Sequence, residues 1–239
     1  MAKREWYSWA SISAALFIVA EAVLFPLIQL TPADVSAKAS YLSIVLVALF
    51  AVFFTGSEKK AHLVRLGLGF TLVADYFLVL ADDAELEGVV AFIFVQTVYC
   101  IYLILNEKRQ RVRTLNLISR TFLSVALTGI TFIVLGQDTD ALSVVSVIYY
   151  ANLVVNVLFA FLLGKEERIF AIGLTLFAMC DLCIGLEVLT SSYLDSSTLS
   201  FFYGANLNLP WVFYQPSQVL IALYLLLKNR NKGANRRPL

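Results

Sequence analysis

Three carboxyl side chains stand inside otherwise apolar runs of this chain. Asp75 lies in GFTLVADYFLVL, residues 69–80, where ten of the twelve residues are Gly, apolar or aromatic. Asp181 lies in GLTLFAMCDLCIGL and Glu21 in SAALFIVAEAVLFPLI. Carboxyls without a cationic partner in a low dielectric hold their protons, and two close ones do not both ionise. The result is an acid beside an ionised partner, which is equipment for general acid–base chemistry or for proton movement. Gln96, Gln218 and Asn152 add amides to comparable runs. On their own the amides need mean no more than interhelical hydrogen bonding, at about 0.6 kcal/mol per bond.

The elements that carry these residues are set by composition. Of 239 residues, 60% are hydrophobic and 15% charged, with a mean hydropathy of +0.80. A soluble domain is roughly 45–50% apolar and about 25% charged. The excess falls into eight blocks: Trp9–Leu30, Tyr41–Thr55, His62–Ala81, Gly88–Leu105, Thr114–Leu135, Ala141–Leu163, Ile169–Leu189 and Leu209–Leu227. About 20 apolar residues span a bilayer as a helix. The blocks are continuous and not alternating, which excludes a membrane β-barrel. The first is too long for a signal-peptide core. The expected fold is all-α, one transmembrane domain over residues 1–239, with eight spanning helices.

Lys and Arg give the orientation. Fifteen of the eighteen cations fall on one side: Lys3, Arg4, Lys59, Lys60, Lys108, Arg109, Arg111, Arg113, Lys165, Arg168 and five between Lys228 and Arg237. Lys38 falls on the other side, and Arg65 and Arg120 are expected inside helix ends near the basic face. The opposite loops carry Asp82, Asp83, Glu85, Glu87, Asp138, Asp140 and Asp195. The positive-inside rule makes both termini cytoplasmic. Residues 228–239 read as a basic cytoplasmic tail against anionic lipid. No folded basic face for nucleic acid is present, and the expected partners are membrane lipids.

Cys180 and Cys183 form a CxxC without a second pair, and the single histidine is His62. A zinc site needs about four ligands, so no metal is expected.

Two segments recur at a spacing of four helices. Gly69–Ala74 (GFTLVA) resembles Gly173–Ala178 (GLTLFA), each followed by an aspartate. QTVYCIYLIL from Gln96 resembles QVLIALYLLL from Gln218, both with Tyr six residues on. Two four-helix halves of like orientation would follow. Counting 1.5 Å per residue, Asp75 and Asp181 are each thirteen residues above the basic end of their helix, and Glu21 is thirteen above Ser8. Gln96 lies eight below Gly88 and Gln218 nine below Leu209. All five are expected in one layer of the outer half, with Asn152 a little deeper.

The motifs around the aspartates resemble the YhhN family of eight-helix membrane proteins. ADYFLVL from Ala74 and GVVAFIFVQTVY from Gly88 are similar to its G-D-x-x-L and G-x-x-x-F-x-x-x-H-x-x-Y. GLTLFAMCDLCIGL resembles its G-x-x-L-F-x-x-S-D segment, and WVFYQPSQVLIAL from Trp211 its Y-Y-x-x-Q-x-L-I-A. Here Ala74 stands for the family's Gly, Gln96 for its His, Cys180 for its Ser and Ala39 for its Pro. The resemblance implies a lysoplasmalogenase, which hydrolyses the vinyl ether of 1-alkenyl lysophospholipids to a fatty aldehyde and a glycerophospho-alcohol. It also implies Asp75 and Asp181 as the catalytic pair. Gln96, Tyr99, Gln218, Tyr214, Asn152 and Glu21 would lie around the substrate, and Lys38 would hold the phosphate. The implied location is the bacterial inner membrane.

That chemistry suits two carboxyls. One protonates the alkene carbon, the other stabilises the oxocarbenium ion and activates water, as carboxyl pairs do on glycosidic bonds. No cofactor, metal or serine nucleophile is required. Two further readings use the same residues: a proton- or cation-coupled transporter, suggested by Pro26 and Pro216 inside helices, and a lipid-binding member without catalysis, suggested by Gln96.

Overall fold

The computed structural model describes residues 2–55, 60–81, 84–193 and 207–234. It contains eight helices long and apolar enough to cross a membrane. These are α1 (Ala2–Leu30), α2 (Ala33–Phe53), α3 (Ala61–Asp75), α4 (Glu85–Asn106), α5 (Gln110–Leu135), α6 (Ala141–Leu162), α7 (Arg168–Tyr193) and α8 (Leu209–Ala234). No strand occurs among the described residues. Pro26 and Pro216 lie inside α1 and α8 without ending either helix. Lys59, Asp82, Asp83, Asp195, Arg236 and Arg237, used above for orientation, lie outside the described residues.

Three helix boundaries move the site residues. α2 starts at Ala33, behind Pro32, with φ −55° and Asp34 in the first turn. Proline's fixed φ and an early acid both favour a helix start, and helix-forming alanines follow. Lys38 therefore sits on an exposed face in the second turn of α2 and not in a loop before it. α4 starts at Glu85, three residues before Gly88, so Gln96 is central in the helix and deeper than the expected layer. α5 starts at Gln110, which puts Arg120 eleventh of 26 residues. Arg120 is near mid-helix and not at the basic end.

α3 passes directly into a π-helical turn, Tyr76–Ala81, immediately after Asp75. Such turns are frequent at functional sites. This one swings Leu78 against α4, where a Cβ on Gly88 would lie 2.4 Å from the Leu78 Cγ. Only a residue without a side chain fits there. A Cβ on Gly67 would meet the Tyr99 ring at 2.2 Å, so α3 and α4 also approach closely lower down. Small residues at helix contacts are the usual means of tight packing in lipid.

The packing pattern repeats every four helices. α2 packs on α1, α3 and α8, and α6 packs on α5, α7 and α4. The α3–α4 pair is matched by the α7–α8 pair. Tyr102 and Tyr224, which occupy equivalent places in the two Gln-initiated segments, hydrogen-bond to each other, and Phe92 meets its counterpart Tyr214 edge-on at 6.4 Å. α5 is the peripheral helix, with Phe122, Val125 and Ile133 exposed.

Lys228 is buried, and α8 continues past it to Ala234. Its ammonium is 2.6 Å from Glu167, with the Tyr102 and Tyr224 hydroxyls joined to the same pair. This clamp ties α4, the start of α7 and α8 at one end of the bundle. In the sequence Lys228 marks only the start of the basic tail, and Tyr102 and Tyr224 only matching places in the two repeated segments.

Candidate active site

Asp75 ends α3 and is buried. The Tyr214 hydroxyl of α8 donates to its Oδ2 at 2.6 Å. Asp181, on α7, is half-buried, and the Tyr149 hydroxyl of α6 donates to its Oδ2 at 2.5 Å. The two tyrosines share one aromatic wall. Phe92 stacks on Tyr149 at 5.5 Å and meets Tyr214 edge-on. Phe177 lies 5.2 Å from the Tyr214 ring and 6.4 Å from the Tyr149 ring. Trp211 packs against the other side of Tyr214 at 5.1 Å. Two tyrosine–aspartate pairs thus flank the same rings.

Each carboxyl keeps one oxygen outside its tyrosine bond. Tyrosine donors orient each acid, and oriented groups beside apolar surface act more strongly on a developing charge than they would in water. Tyr149 was missed in the sequence because SVIYYANL carries no motif there. Periodicity alone could have placed it on the face of α6 that holds Asn152 and Asn156.

Glu21 shares the depth of Asp75 but faces another gap. Ser43 of α2 donates to its Oε2 at 2.6 Å, and Gln215 of α8 donates to the same oxygen at 2.7 Å and to the backbone carbonyl at 2.9 Å. Gln215, unmarked in the sequence, joins this node to the neighbouring Tyr214. Glu21 is therefore linked to the aspartates through α8 and does not meet them. Gln218 lies one turn below Tyr214, buried, with its amide 3.3 Å from the Ser217 hydroxyl. Tyr99 packs over Gly67 and against Phe170. Its hydroxyl makes no hydrogen bond of ordinary geometry.

Gln96 and Asn152 belong to a second polar centre, one to two turns closer to the basic ends of the helices. Asn156 donates to the Gln96 carbonyl oxygens, main-chain and side-chain, at 2.9 Å each. Arg120 donates to Asn152 Oδ1 at 2.6 Å, to Asn156 Oδ1 at 2.8 Å and to Asn116 Oδ1 at 3.3 Å. Arg120, expected in a helix end near the basic face, thus lies near mid-helix, still one to two turns from the acids. Among the described residues no group of three or more His, Cys, Asp or Glu is placed to hold a metal ion.

An eight-helix bundle that carries two tyrosine-held aspartates, one buried and one half-buried, defines an integral, multi-pass membrane protein. Residues 35–225 match the model of the YhhN family. The match includes both aspartates and most of the chain, and the protein belongs to that family. No curated protein and no solved structure matches it.

Proposed function

We propose that this protein is a lysoplasmalogenase-like hydrolase that cleaves the vinyl ether of alkenyl lysophospholipids within the membrane. The observation that carries the reading is the pairing of Tyr214 with Asp75 and Tyr149 with Asp181 around one aromatic wall. Family membership supports it independently.

The protonated member of the acid pair gives its proton to the alkene carbon distal to the ether oxygen. The adjacent carbon becomes part of an oxocarbenium ion, which the ionised member stabilises. That carboxylate then takes a proton from water as the water oxygen adds to the cation. The hemiacetal expels the glycerol oxygen, which leaves as an alcohol, and the former vinyl group becomes an aldehyde. One water is consumed and no redox change occurs. The aromatic rings add a quadrupole whose negative faces favour a cation.

The test is incubation of the purified protein with a 1-alkenyl lysophospholipid and measurement of fatty aldehyde. Absence of aldehyde, with a proton-dependent flux in proteoliposomes that Asp75→Asn removes, would replace hydrolysis by transport.

A further inference from the structure

Arg120 is a cation inside the bundle without an anionic partner. All its side-chain acceptors are neutral: Asn116, Asn152 and Asn156, together with the Asn152 backbone carbonyl. Among the described residues no Asp or Glu forms an ion pair with it. Its Nε is buried and makes no hydrogen bond, and neither does Nε2 of the wholly buried Gln96. Two unused donors and a positive charge without a counter-ion thus belong to one hydrogen-bonded network joined through Asn156. Pinning the peripheral α5 onto α6 explains the amide contacts. It does not explain leaving the charge unpaired: Arg120 is half-buried, and a charge drawn out of water without a counter-ion is unfavourable.

The position of this centre relative to the acids is fixed by two helices that carry both. On α6, Tyr149 bonds Asp181 and Asn156 bonds Arg120, seven residues or roughly 10 Å along the axis. On α4, Phe92 packs on the acid-bound tyrosines and Gln96 lies one turn on, about 6 Å away. In a 1-alkenyl lysophospholipid, five bonds of about 1.5 Å separate the ether oxygen from phosphorus, roughly 6 Å when extended. That span equals the spacing along α4 and is shorter than the one along α6.

The direction is also fixed. On the basic side of Asn116 lies a small cavity with room for about one water. Leu103 and Glu107 of the α4 end, Arg113 and Asn116 of α5, and Phe159 of α6 line it. Arg113, Asn116 and Arg120 share one face of α5 at helical spacing. Arg113 and Asn116, at this cavity, and Arg120 thus form a line of cationic and amide side chains along α5 from the basic end of the bundle.

Building on the hydrolase reading, we propose that Arg120, with Asn116, Asn152 and Gln96, binds the phosphate of the lysophospholipid, and that the lipid enters from the cytoplasmic leaflet between α4 and α5. Its alkenyl ether then lies outward of the phosphate, at the acid pair. A guanidinium suits phosphate because it keeps its charge at any working pH, and its Nε–H is the donor left free in this structure.

Binding is measured on the full-length protein in neutral detergent with a 1-alkyl ether lysophospholipid, which has no vinyl ether to cleave, and with the phosphate-free 1-alkylglycerol. Arg120→Gln is expected to weaken the lysophospholipid about tenfold or more and to leave alkylglycerol unchanged. Arg120→Lys should recover part of the loss. Equal weakening of both ligands would make Arg120 a structural anchor and overturn the proposal. So would unchanged lysophospholipid binding in Arg120→Gln, or a loss confined to Lys38→Gln. Competition by inorganic phosphate at the lipid's own concentration would indicate a free-anion site and overturn the lipid assignment. If Arg120→Gln does not fold, Asn116→Leu must show the same ligand selectivity, and its failure to do so overturns the proposal. The hydrolase reading fails separately: Arg120-dependent binding with no aldehyde from the alkenyl substrate removes the reaction and leaves the binding site.

Discussion

The Tyr214 hydroxyl holds the Asp75 carboxyl at 2.6 Å across 139 residues of chain. That bond joins the end of α3 to the second turn of α8 at the point where α3 gives way to its π turn. Tyr214→Phe keeps the ring contacts to Trp211, Phe177 and Phe92 and removes only the donor. A hydrogen bond to a charged group contributes about 1.5–3 kcal/mol. Where half of that is expressed in the transition state, kcat falls by about tenfold. Tyr149→Phe should do the same at Asp181. Steady-state aldehyde release with each variant measures it, and rates equal to the parent would remove the tyrosines from the mechanism.

Asp75→Asn and Asp181→Asn each preserve shape and most hydrogen bonds but remove the titrating group. General acid–base contributions run at about 10²–10⁴-fold. Each variant should lose at least that much aldehyde release while its thermal unfolding in detergent remains cooperative. The pH profile of the parent should be bell-shaped, with limbs that belong to the coupled pair and not to either residue. Undiminished turnover in both variants would reject the two-carboxyl mechanism.

The eight helices and both aspartates were legible in the sequence because lipid is an unforgiving solvent. Every apolar block must be a helix, and an acid within one must find the interior. What was not legible is azimuth and neighbour choice. Gln96 and Gln218 match in sequence, yet only Gln96 meets the Arg120 centre, because α4 and not α8 packs on α6. Arg120 was misplaced because α5 begins in a polar stretch, QRVRTLN, that looks like loop but is helical. Gln215 carries no local signal, and Tyr149 carries only its helical spacing to Asn152 and Asn156. Their importance comes from which residue across the bundle they touch.

Orientation is testable with few confounding thiols. Cys100, Cys180 and Cys183 are all buried. A cysteine at the exposed Glu85 position should label from outside with an impermeant maleimide, and one at the exposed Glu166 position only after permeabilisation. The reverse pattern would invert the bundle and, with it, the leaflet assigned to the substrate.

Glu107, between α4 and α5, is held at about 2, below its ordinary 4.5, chiefly by the Arg109 side chain that bonds it at 2.8 and 3.0 Å. A depressed carboxyl stabilises the fold above its unfolded value, and the contribution disappears as pH falls through the folded one. Glu107→Gln should therefore lower the unfolding temperature near pH 7. The gap to the parent should narrow between pH 4.5 and about 2. A gap independent of pH across that window would show that packing, and not charge, is what Glu107 supplies.

The Lys228–Glu167 clamp gives a separate prediction about stability. Removing one partner of a buried ion pair leaves the other charge uncompensated and costs about 3–5 kcal/mol. Lys228→Met strands Glu167 among two tyrosine hydroxyls, and Glu167→Leu strands the ammonium over the Tyr102 and Tyr224 rings. Each single variant should therefore unfold well below the parent temperature in detergent. The double variant, Lys228→Met with Glu167→Leu, removes both charges and keeps comparable volume, so it should recover much of the loss. Its recovery measures coupling, which neither single change can isolate. The clamp lies ten residues along α8 from Gln218, about 15 Å from that glutamine, so aldehyde release per folded molecule should be close to parental in the double variant. Additive losses in the double variant would show that the tyrosines, and not the ion pair, hold α4, α7 and α8 together.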